Sequence, residues 1–253
     1  IGWTPKEEWR LGCKRAAFIT GGYDSMGSGG KPMDEEALRR AIDEMAPEVD
    51  AIVVSGMFSV SNATQEQRAK SIIREKHAIP VVQGHEMSAE LGIYERTVTA
   101  VLNGKLLPTM SDFLQSVERS LQSRGINAAV YVFKGDGSLM SLDVAMDRPV
   151  ETILSGPAAS LMGGKALAKV DSCLVVDIGG TSTDIAYLDH DFPRLNEEGA
   201  SVGNWRTRVR AIDIWTAGLG GDSVVRTGEM GELLVGPDRV IPLAVAAKTY
   251  GNL

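Results

Sequence analysis

The sequence has few cysteines and no long hydrophobic segment. Its 253 residues include two cysteines, Cys13 and Cys173, which lie far apart in the chain, so we predict reduced thiols and a cytoplasmic protein. No apolar run approaches the roughly 18 residues needed to cross a bilayer, which argues against a membrane protein. The net charge is −7 and no basic stripe is visible, which argues against a nucleic-acid partner.

The chain does have the alternating pattern of an α/β protein. Residues 33–47 carry apolar side chains three and four apart, which predicts an amphipathic helix, and the apolar strand VDAIVVSG follows. A second helix is predicted where Thr64 and Gln67 have capping-box spacing, and the short strand IPVVQG comes after it. This order predicts βαβ units on a parallel sheet.

The composition of the chain divides it into two parts. The first part ends with two predicted helices separated by Pro108 and a predicted hairpin that turns at residues 135–137. The composition shifts near residues 145–155 and leads into the small-residue helix AASLMGGKALAKV. We therefore predict an α/β domain with substrate-side helices at residues 1–148 and a nucleotide-binding subdomain at residues 149–253.

The stretch VVDIGGTSTDIAYL, at residues 175–188, predicts two strands around a turn that binds phosphate. Gly179 and Gly180 let the backbone approach a ligand closely. The amides that follow would converge on an anion, with the hydroxyls of Thr181 and Thr183 as further donors. Since no GK[ST] follows the glycines, this is not a Walker A loop.

Two acids flank this turn. Asp177, at a strand end, would bind a hydrated Mg²⁺ that accompanies the phosphates, and Asp184 would share the water shell of the metal or orient an attacking water. The alternative is a plain hairpin in which Asp and Thr side chains satisfy the turn amides. A plain hairpin needs neither a second acid nor three hydroxyls, so we favour a phosphate site.

A second glycine cluster follows in DIWTAGLGGDSVVRTGEM. Gly218, Gly220 and Gly221 precede Asp222 and a predicted helix start, an arrangement that favours a second anion or nucleotide site strengthened by the helix dipole. By itself such a triplet is as often a close-packed turn. Its place after the first phosphate turn makes the nucleotide interpretation the more specific one.

These two elements resemble the phosphate and adenosine motifs of the actin, sugar kinase and Hsp70 ATPase superfamily. More narrowly, most of the chain resembles the hydantoinase A / 5-oxoprolinase family. The matching segments keep the order of the family from about residue 30 to residue 240. They are PMDEEALRRAI, VDAIVVSGMFSVSNATQEQR, GHEMSAELGIYERTVTAVLN, KGDGSLMS, ILSGPAAS, VVDIGGTSTDIAYL and ELLVGPDRV.

The resemblance implies an α/β fold of the ribonuclease-H-like, actin-like ATPase type, with mixed sheets and flanking helices. It implies ATP and Mg²⁺ as cofactors and the opening of a cyclic amide, such as a hydantoin or 5-oxoproline, through a phosphorylated intermediate. Related members form part of ATP-driven carboxylases of ketones. The implied partners are a small cyclic-amide or ketone substrate, and either further copies of the chain or a second hydantoinase-type subunit.

Carried over position by position, the resemblance assigns Asp177 to the Mg²⁺ water shell and Asp184 to support of the metal or the water. Asp222 is a departure, because the family often has a third consecutive glycine there. Two groups of residues would hold ATP: Gly179, Gly180, Thr181 and Thr183 at the phosphates, and Gly218, Gly220 and Gly221 along the adenosine.

Superfamily members have a first DxGGT hairpin near the N-terminus, facing the second across a cleft. In this chain FITGGYDSMGSGGKP lacks both the leading Asp and the Thr after the glycines. Because the chain also starts at Ile1, we expect a piece of a longer protein, incomplete at its N-terminus and lacking part of its C-terminus. Such a piece would hold half of an ATP site.

A group of titratable residues lies in QGHEMSAE and the segment after it. His85 and Glu86 follow a predicted strand end, where α/β sheets place ligands, and Glu95 and Arg96 lie one helix further on. His85 would be a metal ligand or general base, Arg96 would be a clamp for a substrate carbonyl or carboxylate, and Glu86 would belong to the same catalytic group. The alternative makes His85 a helix-entry residue and Glu95–Arg96 a solvated pair. Both interpretations stay open.

Asp136, in KGDGSL, is most simply a turn residue, because Asp-Gly favours hairpins. The family pattern retains the same GDG, so a role beside His85 at a second divalent metal is the other interpretation. Two further functions fit the superfamily: a small-molecule kinase and a non-enzymatic, nucleotide-gated scaffold in the manner of actin. Neither explains the block GHEMSAELGIYERT, so the hydrolase or carboxylase is favoured.

Overall fold

The computed structural model describes residues 1–2, 12–190 and 192–251. The chain forms two compact units, called the first and the second unit below, and each recruits short segments from elsewhere in the chain. The division expected at residues 148–149 stays a prediction. The first unit consists of residues 1–134, 139–153 and 197–210, and the second of residues 135–138, 154–196 and 211–253.

The first unit is built on a parallel strand pair. Helix α1 (Glu35–Met45) precedes strand β1 (Ile52–Val54), and helix α2 (Thr64–Lys76) connects β1 to strand β2 (Val81–Gln83). β1 and β2 pair in parallel, so α2 is the crossover helix and the predicted βαβ unit is confirmed. Asp34 caps α1 by accepting a hydrogen bond from an amide of its first turn.

The apolar faces of both helices pack on this strand pair. Leu38 and Ile42 of α1 are buried with Ile72 and Ile73 of α2, and Val54 of β1 joins the same cluster. The helical spacing of these side chains puts them on one face of each helix, as the sequence predicts. Their burial is the main source of stability in this part of the chain.

The capping box predicted at Thr64 and Gln67 is wrong. Thr64 is the first residue of α2 rather than the residue before it. The side chain of Asn62 accepts a hydrogen bond from the Thr64 amide at 3.1 Å instead. The cap therefore comes from a residue two positions earlier, which satisfies one of the amides that a helix start leaves unpaired.

The helix break predicted at Pro108 is also wrong. After the single turn α3 (Gly84–Met87), helix α4 runs over Ile93–Ser123 and includes Pro108. A proline removes one helical hydrogen bond, here the one to the Gly104 carbonyl, while the turns before it are buried and held by packing. No helix among the described residues is long and apolar enough to cross a membrane.

The first unit continues with the predicted hairpin. Strands β3 (Tyr131–Phe133) and β4 (Leu139–Ser141) pair antiparallel, and helix α5 (Leu142–Asp147) follows directly. Ser141 caps α5 by accepting from the amide of Val144. A small cluster of buried side chains joins this region to α4: Leu114, Met140 and Ala145.

The second unit is an antiparallel sheet backed by one helix. Helix α6 (Ser155–Ala168) leads into strands β5 (Cys173–Ile178) and β6 (Thr183–Asp189), and the short β7 (Phe192–Pro193) pairs with the end of β6. Both predicted strands around the glycines and the small-residue helix are confirmed. A later strand, Ile214–Ala217, pairs with the other edge of β6, so the sheet order places β6 in the middle.

Small residues let α6 approach this sheet closely. A Cβ on Gly164 would lie 3.1 Å from a methyl group of Val175 on β5. Leu161 of α6 is buried together with Leu188 and Ile212 from the sheet side. The spacing of small residues in α6 thus serves helix–sheet contact.

Residues 197–210 belong to the first unit, and the residues after them belong to the second. β8 (Ser201–Val202) and β9 (Trp205–Arg206) form a short hairpin in the first unit. In the second unit, β10 (Ile214–Ala217) is the strand that pairs with β6, and β11 (Ser223–Thr227) pairs antiparallel with β12 (Leu233–Arg239). The last helix among the described residues is α7, Leu243–Tyr250.

The helix start predicted after the second glycine cluster is wrong, because β11 begins there. The segment SVVRT has two adjacent β-branched valines and finds a partner strand in β12, which favours an extended backbone. The glycine cluster therefore has no helix dipole behind it. Any ligand role of this cluster must rest on its backbone geometry alone.

Candidate functional site

The turn between β5 and β6, residues 179–182, presents several backbone N–H groups. It is closed by a hydrogen bond of 2.9 Å from the Gly179 amide to the Ser182 carbonyl. Among the described residues, no hydrogen-bond partner is found for the amides of Gly180, Thr181 and Ser182. Successive N–H groups of this kind form a concave surface for an anion. We call these four residues the phosphate turn.

A row of polar side chains crosses the sheet beside the phosphate turn. Asp177 on β5 lies directly opposite Asp184 on β6, which lies opposite Thr216 on β10. The Thr216 hydroxyl donates to Asp184 Oδ1 at 2.6 Å. Among the described residues the Asp177 carboxylate has no partner. Like charges directly opposite on paired strands repel, so this row is suited to a cation that neutralises both carboxylates.

The second glycine cluster docks on the phosphate turn. The amide of Gly221 donates to the Gly179 carbonyl at 2.9 Å, and the amide of Asp222 donates to the Gly180 carbonyl at 2.8 Å. Residues 218–222, called the glycine loop below, thus hold the backbone of the phosphate turn in place. Two motifs that the sequence shows separately form one structure.

Gly220 is where the two backbones come closest. A Cβ built on Gly220 would lie 2.6 Å from the Gly180 carbonyl carbon and 2.7 Å from the Gly179 oxygen, so only glycine fits without moving the backbone. The Thr183 hydroxyl strengthens the same contact by donating to the Leu219 carbonyl at 2.7 Å. Thr183 is buried, and its hydroxyl is used inside the protein.

The departure at Asp222 does not prevent the close approach. Its amide makes the contact with the phosphate turn, while its carboxylate accepts a hydrogen bond of 2.9 Å from Arg239 on β12. Gly218 is also closely packed, because a Cβ on Gly236 of β12 would lie 2.6 Å from the Gly218 carbonyl oxygen. The β11–β12 hairpin therefore packs against the glycine loop.

Asp136 lies in the second unit and closes its own turn. Its Oδ1 accepts from the Ser138 amide at 3.0 Å and from the Ser138 hydroxyl at 2.6 Å. His85, with which it was expected to share a metal, belongs to the first unit. Over residues 1–2, 12–190 and 192–251, no group of three or more His, Cys, Asp and Glu side chains is arranged to hold a metal ion.

His85 lies at the carboxyl edge of the parallel strand pair, in contact with a buried acid. Its Nδ1 is 2.6 Å from Oε2 of Glu66, and its amide donates to the same oxygen at 2.9 Å. The other Glu66 oxygen accepts from the Gly56 amide, just after β1, at 2.7 Å. Burial raises the pKa of Glu66, but hydrogen bonds from His85, Ser59 and Gly56 outweigh it and hold the pKa below its usual value.

Arg96 lies next to this pair and is 1% exposed. Its guanidinium donates to the Gly56 carbonyl at 3.1 Å, to the Ser59 hydroxyl at 3.3 Å and to the Glu90 carbonyl at 3.3 Å. Burial lowers the pKa of this guanidinium. In this arrangement Arg96 holds the loop that follows β1, and its charged head faces protein rather than solvent.

Of the two acids near His85, the structure buries Glu66 and exposes Glu86. Glu86 forms a surface ion pair with Lys70 at 3.2 Å. Glu66 was missed by the sequence reasoning, although a signal was present. It precedes Ala69 and Ile73 by three and seven residues, a spacing that puts its carboxylate on the buried face of α2.

The second unit has an antiparallel sheet backed by a helix, and a glycine turn between two of its strands contacts a second glycine loop. This arrangement is that of an actin-like ATPase fold. The profile described as Hydantoinase/oxoprolinase matches residues 96–243, and that described as Hydantoinase/oxoprolinase N-terminal region matches residues 10–77. The chain belongs to the hydantoinase/oxoprolinase family, which confirms the resemblance found in its sequence.

Named relatives are similar in sequence to this chain over most of its length. Caprolactamase subunit alpha of Pseudomonas jessenii is 33% identical over 226 residues, which are 87% of this chain and 32% of that protein. Acetophenone carboxylase gamma subunit of Aromatoleum aromaticum is 31% identical over 225 residues, covering 85% of this chain and 30% of that protein. This chain spans about a third of the length of these relatives.

Solved structures show the same fold. The crystal structure of ATP-dependent caprolactamase from Pseudomonas jessenii gives a TM-score of 0.76 at 31% identity, over 87% of this chain and 33% of that one. The nucleotide-free structure of acetone carboxylase gives a TM-score of 0.71 at 24% identity, over 87% of this chain and 32% of that one. The expected actin-like α/β fold is therefore confirmed, although each sheet among the described residues is either parallel or antiparallel.

Proposed function

We propose that this chain is part of an ATP-dependent enzyme that opens a cyclic amide, or of a related ATP-driven carboxylase that acts on a ketone. The observation that carries the proposal is the phosphate turn, where three amides without a hydrogen-bond partner in the described part of the chain lie beside the facing carboxylates of Asp177 and Asp184. Relatives named caprolactamase and acetophenone carboxylase support the two substrate classes.

The residues of the second unit fit Mg²⁺ and the phosphates of ATP. The amides of Gly180 and Thr181, with the Thr181 hydroxyl, would donate to phosphate oxygens, and Asp177 with Asp184 would hold the water shell of the metal. The glycine loop keeps the phosphate turn rigid through Gly220 and leaves its exposed glycines for the adenosine side. When bound, ATP supplies the phosphoryl group that makes a substrate oxygen a leaving group.

The residues expected to act on the substrate lie in the first unit. We propose His85 as a proton acceptor and Glu86 as a polar neighbour at the surface, while Arg96 fixes the loop that carries Gly56. The proposed enzyme acts with a second subunit, as the names of the relatives that are subunits suggest. A cytoplasmic location fits the two free cysteines, Cys13 and Cys173.

Calorimetric titration of Mg-ATP into the intact protein that contains this chain tests the nucleotide site. Asp177→Asn should abolish Mg-dependent binding, because it removes one of the two facing charges that hold the metal. Asp189→Asn is the matched control, since it makes the same change at an exposed position on β6. Binding by Asp177→Asn equal to that of the wild-type chain would contradict the proposal.

The products of the complete enzyme distinguish the functions that share this fold. With caprolactam or 5-oxoproline, a hydrolase releases ADP and free phosphate with the opened ring, and a carboxylase turns over only with a ketone and bicarbonate. A stable phosphorylated product would identify a small-molecule kinase instead. ATP-dependent polymerisation without turnover, seen by light scattering, would identify a scaffold.

A further inference from the structure

The buried carboxylate of Glu66 connects two strand ends that α/β proteins use for binding. Gly56 follows β1 and His85 follows β2, and the carboxyl ends of parallel strands meet at the same edge of a sheet. Both oxygens of Glu66 are occupied there by donors from these two segments. A buried acid on an otherwise apolar helix face is retained only where its partners satisfy it fully.

The contact between Glu66 and His85 selects one form of the imidazole. An ionised carboxylate only accepts hydrogen bonds, so the His85 nitrogen that faces it, Nδ1, must carry the proton. The other nitrogen, Nε2, is then the acceptor of the ring. The His85 side chain is 18% exposed while the Glu66 side chain is fully buried, so the ring is held on one side and reachable on the other.

We propose that Glu66 is a positioning residue that fixes the tautomer and orientation of His85, so that Nε2 accepts a proton from a water, hydroxyl or amide group placed against it. The proton becomes bonded to Nε2, the ring becomes an imidazolium that keeps its Nδ1–H, and the net charge of the pair changes from −1 to 0. This inference rests on the proposed function for the identity of the proton donor.

The charges that surround the pair favour an ionised Glu66. The guanidinium of Arg96, on α4, donates to Gly56 and Ser59 of the loop that follows β1, and its positive charge interacts with the Glu66 carboxylate. At the surface, the charges of Lys70 and Glu86 offset each other in an ion pair. These surroundings agree with the lowered pKa of Glu66, which keeps the carboxylate ionised.

The tautomer is measured by long-range ¹H–¹⁵N NMR on the full-length chain, assigned through the loss of signal in His85→Gln. The wild-type spectrum should show the Nδ1–H form of His85. In Glu66→Gln the side-chain oxygen can still accept from both the His85 amide and Nδ1–H, so the wild-type spectrum is the decisive measurement of the tautomer. A wild-type Nε2–H form would overturn the proposal.

The second readout is turnover of caprolactam with ATP, followed against pH. Glu66→Gln should lower kcat by about 100-fold or more with little change in KM, as expected for loss of a positioned proton acceptor. Glu75→Gln, the same change on the exposed side of α2, should match the wild-type enzyme. Equal loss of kcat at every pH would show a structural role only.

The two proposals fail separately. Absence of ATP-dependent turnover with all of the carbonyl substrates would contradict the proposed function, and the NMR result would still decide the Glu66–His85 pair. If Glu66→Gln does not fold, the wild-type tautomer remains decisive, and Glu66→Asp, which keeps the charge but shortens its reach, should show a mixture of the two tautomers.

Discussion

Replacing Gly220 with alanine tests whether the two glycine motifs form one structure. The added Cβ would lie 2.6 Å from the Gly180 carbonyl carbon and 2.7 Å from the Gly179 oxygen. Both are backbone atoms, so no side chain can rotate away, and the two segments must separate by several tenths of an ångström. The Gly221 and Asp222 hydrogen bonds to the phosphate turn, at 2.9 and 2.8 Å, would be stretched or lost.

The expected loss in the free energy of unfolding follows from these contacts. Two backbone hydrogen bonds contribute about 1–3 kcal/mol together, at about 0.5–1.5 kcal/mol each. The steric strain of an added methyl group in a packed contact is worth about 1–3 kcal/mol, part of which the separation relieves. We expect Gly220→Ala to lower the free energy of unfolding of the second unit by about 2–4 kcal/mol.

Urea unfolding of the full-length chain measures this loss, and calorimetry with Mg-ATP measures its effect on binding. Gly221→Ala is the matched control for stability, because a Cβ there would contact only the Gly179 oxygen at an ordinary 3.8 Å. Its unfolding free energy should stay within about 0.5 kcal/mol of the wild-type value. Equal stability of Gly220→Ala and Gly221→Ala would refute the docking of the glycine loop.

Three further changes test other parts of the structure. Glu66→Gln should lower the free energy of unfolding by about 2–3 kcal/mol at pH 7. Because folding lowers the pKa of Glu66, this difference, measured by urea unfolding, should persist above the pKa of the unfolded state, about 4.3. It should disappear as the pH falls through the pKa of the folded state. Asp177→Asn should stabilise the Mg²⁺-free chain by about 0.2–1 kcal/mol by removing repulsion from Asp184, and a lower melting temperature than wild type without Mg²⁺ would contradict this. Arg96→Met should lower stability by about 3 kcal/mol or more, since the Gly56 and Glu90 carbonyls lose a charged donor, and unchanged thermal unfolding would show that these bonds contribute little.

Local patterns were sufficient for most of the secondary structure. The spacing of Leu38 and Ile42 predicts α1, because it matches the helical period, and the apolar run at residues 173–176 predicts a strand. The predictions that failed, at Pro108, at Thr64 and after Gly221, concern helix boundaries. There a single residue type competes with packing or with a partner strand that is distant in the sequence.

The sequence by itself determined the two strands and the glycine turn between them, and it predicted a phosphate site there, because a plain hairpin needs neither a second acid nor three hydroxyls. Only the tertiary structure decided which of these groups remain available. It uses the Thr183 hydroxyl and the Gly221 amide for docking, and it places Glu66 against His85 across nineteen residues of chain. Such contacts depend on how separate elements pack together, so the hydrophobic pattern within a single helix or strand does not predict them.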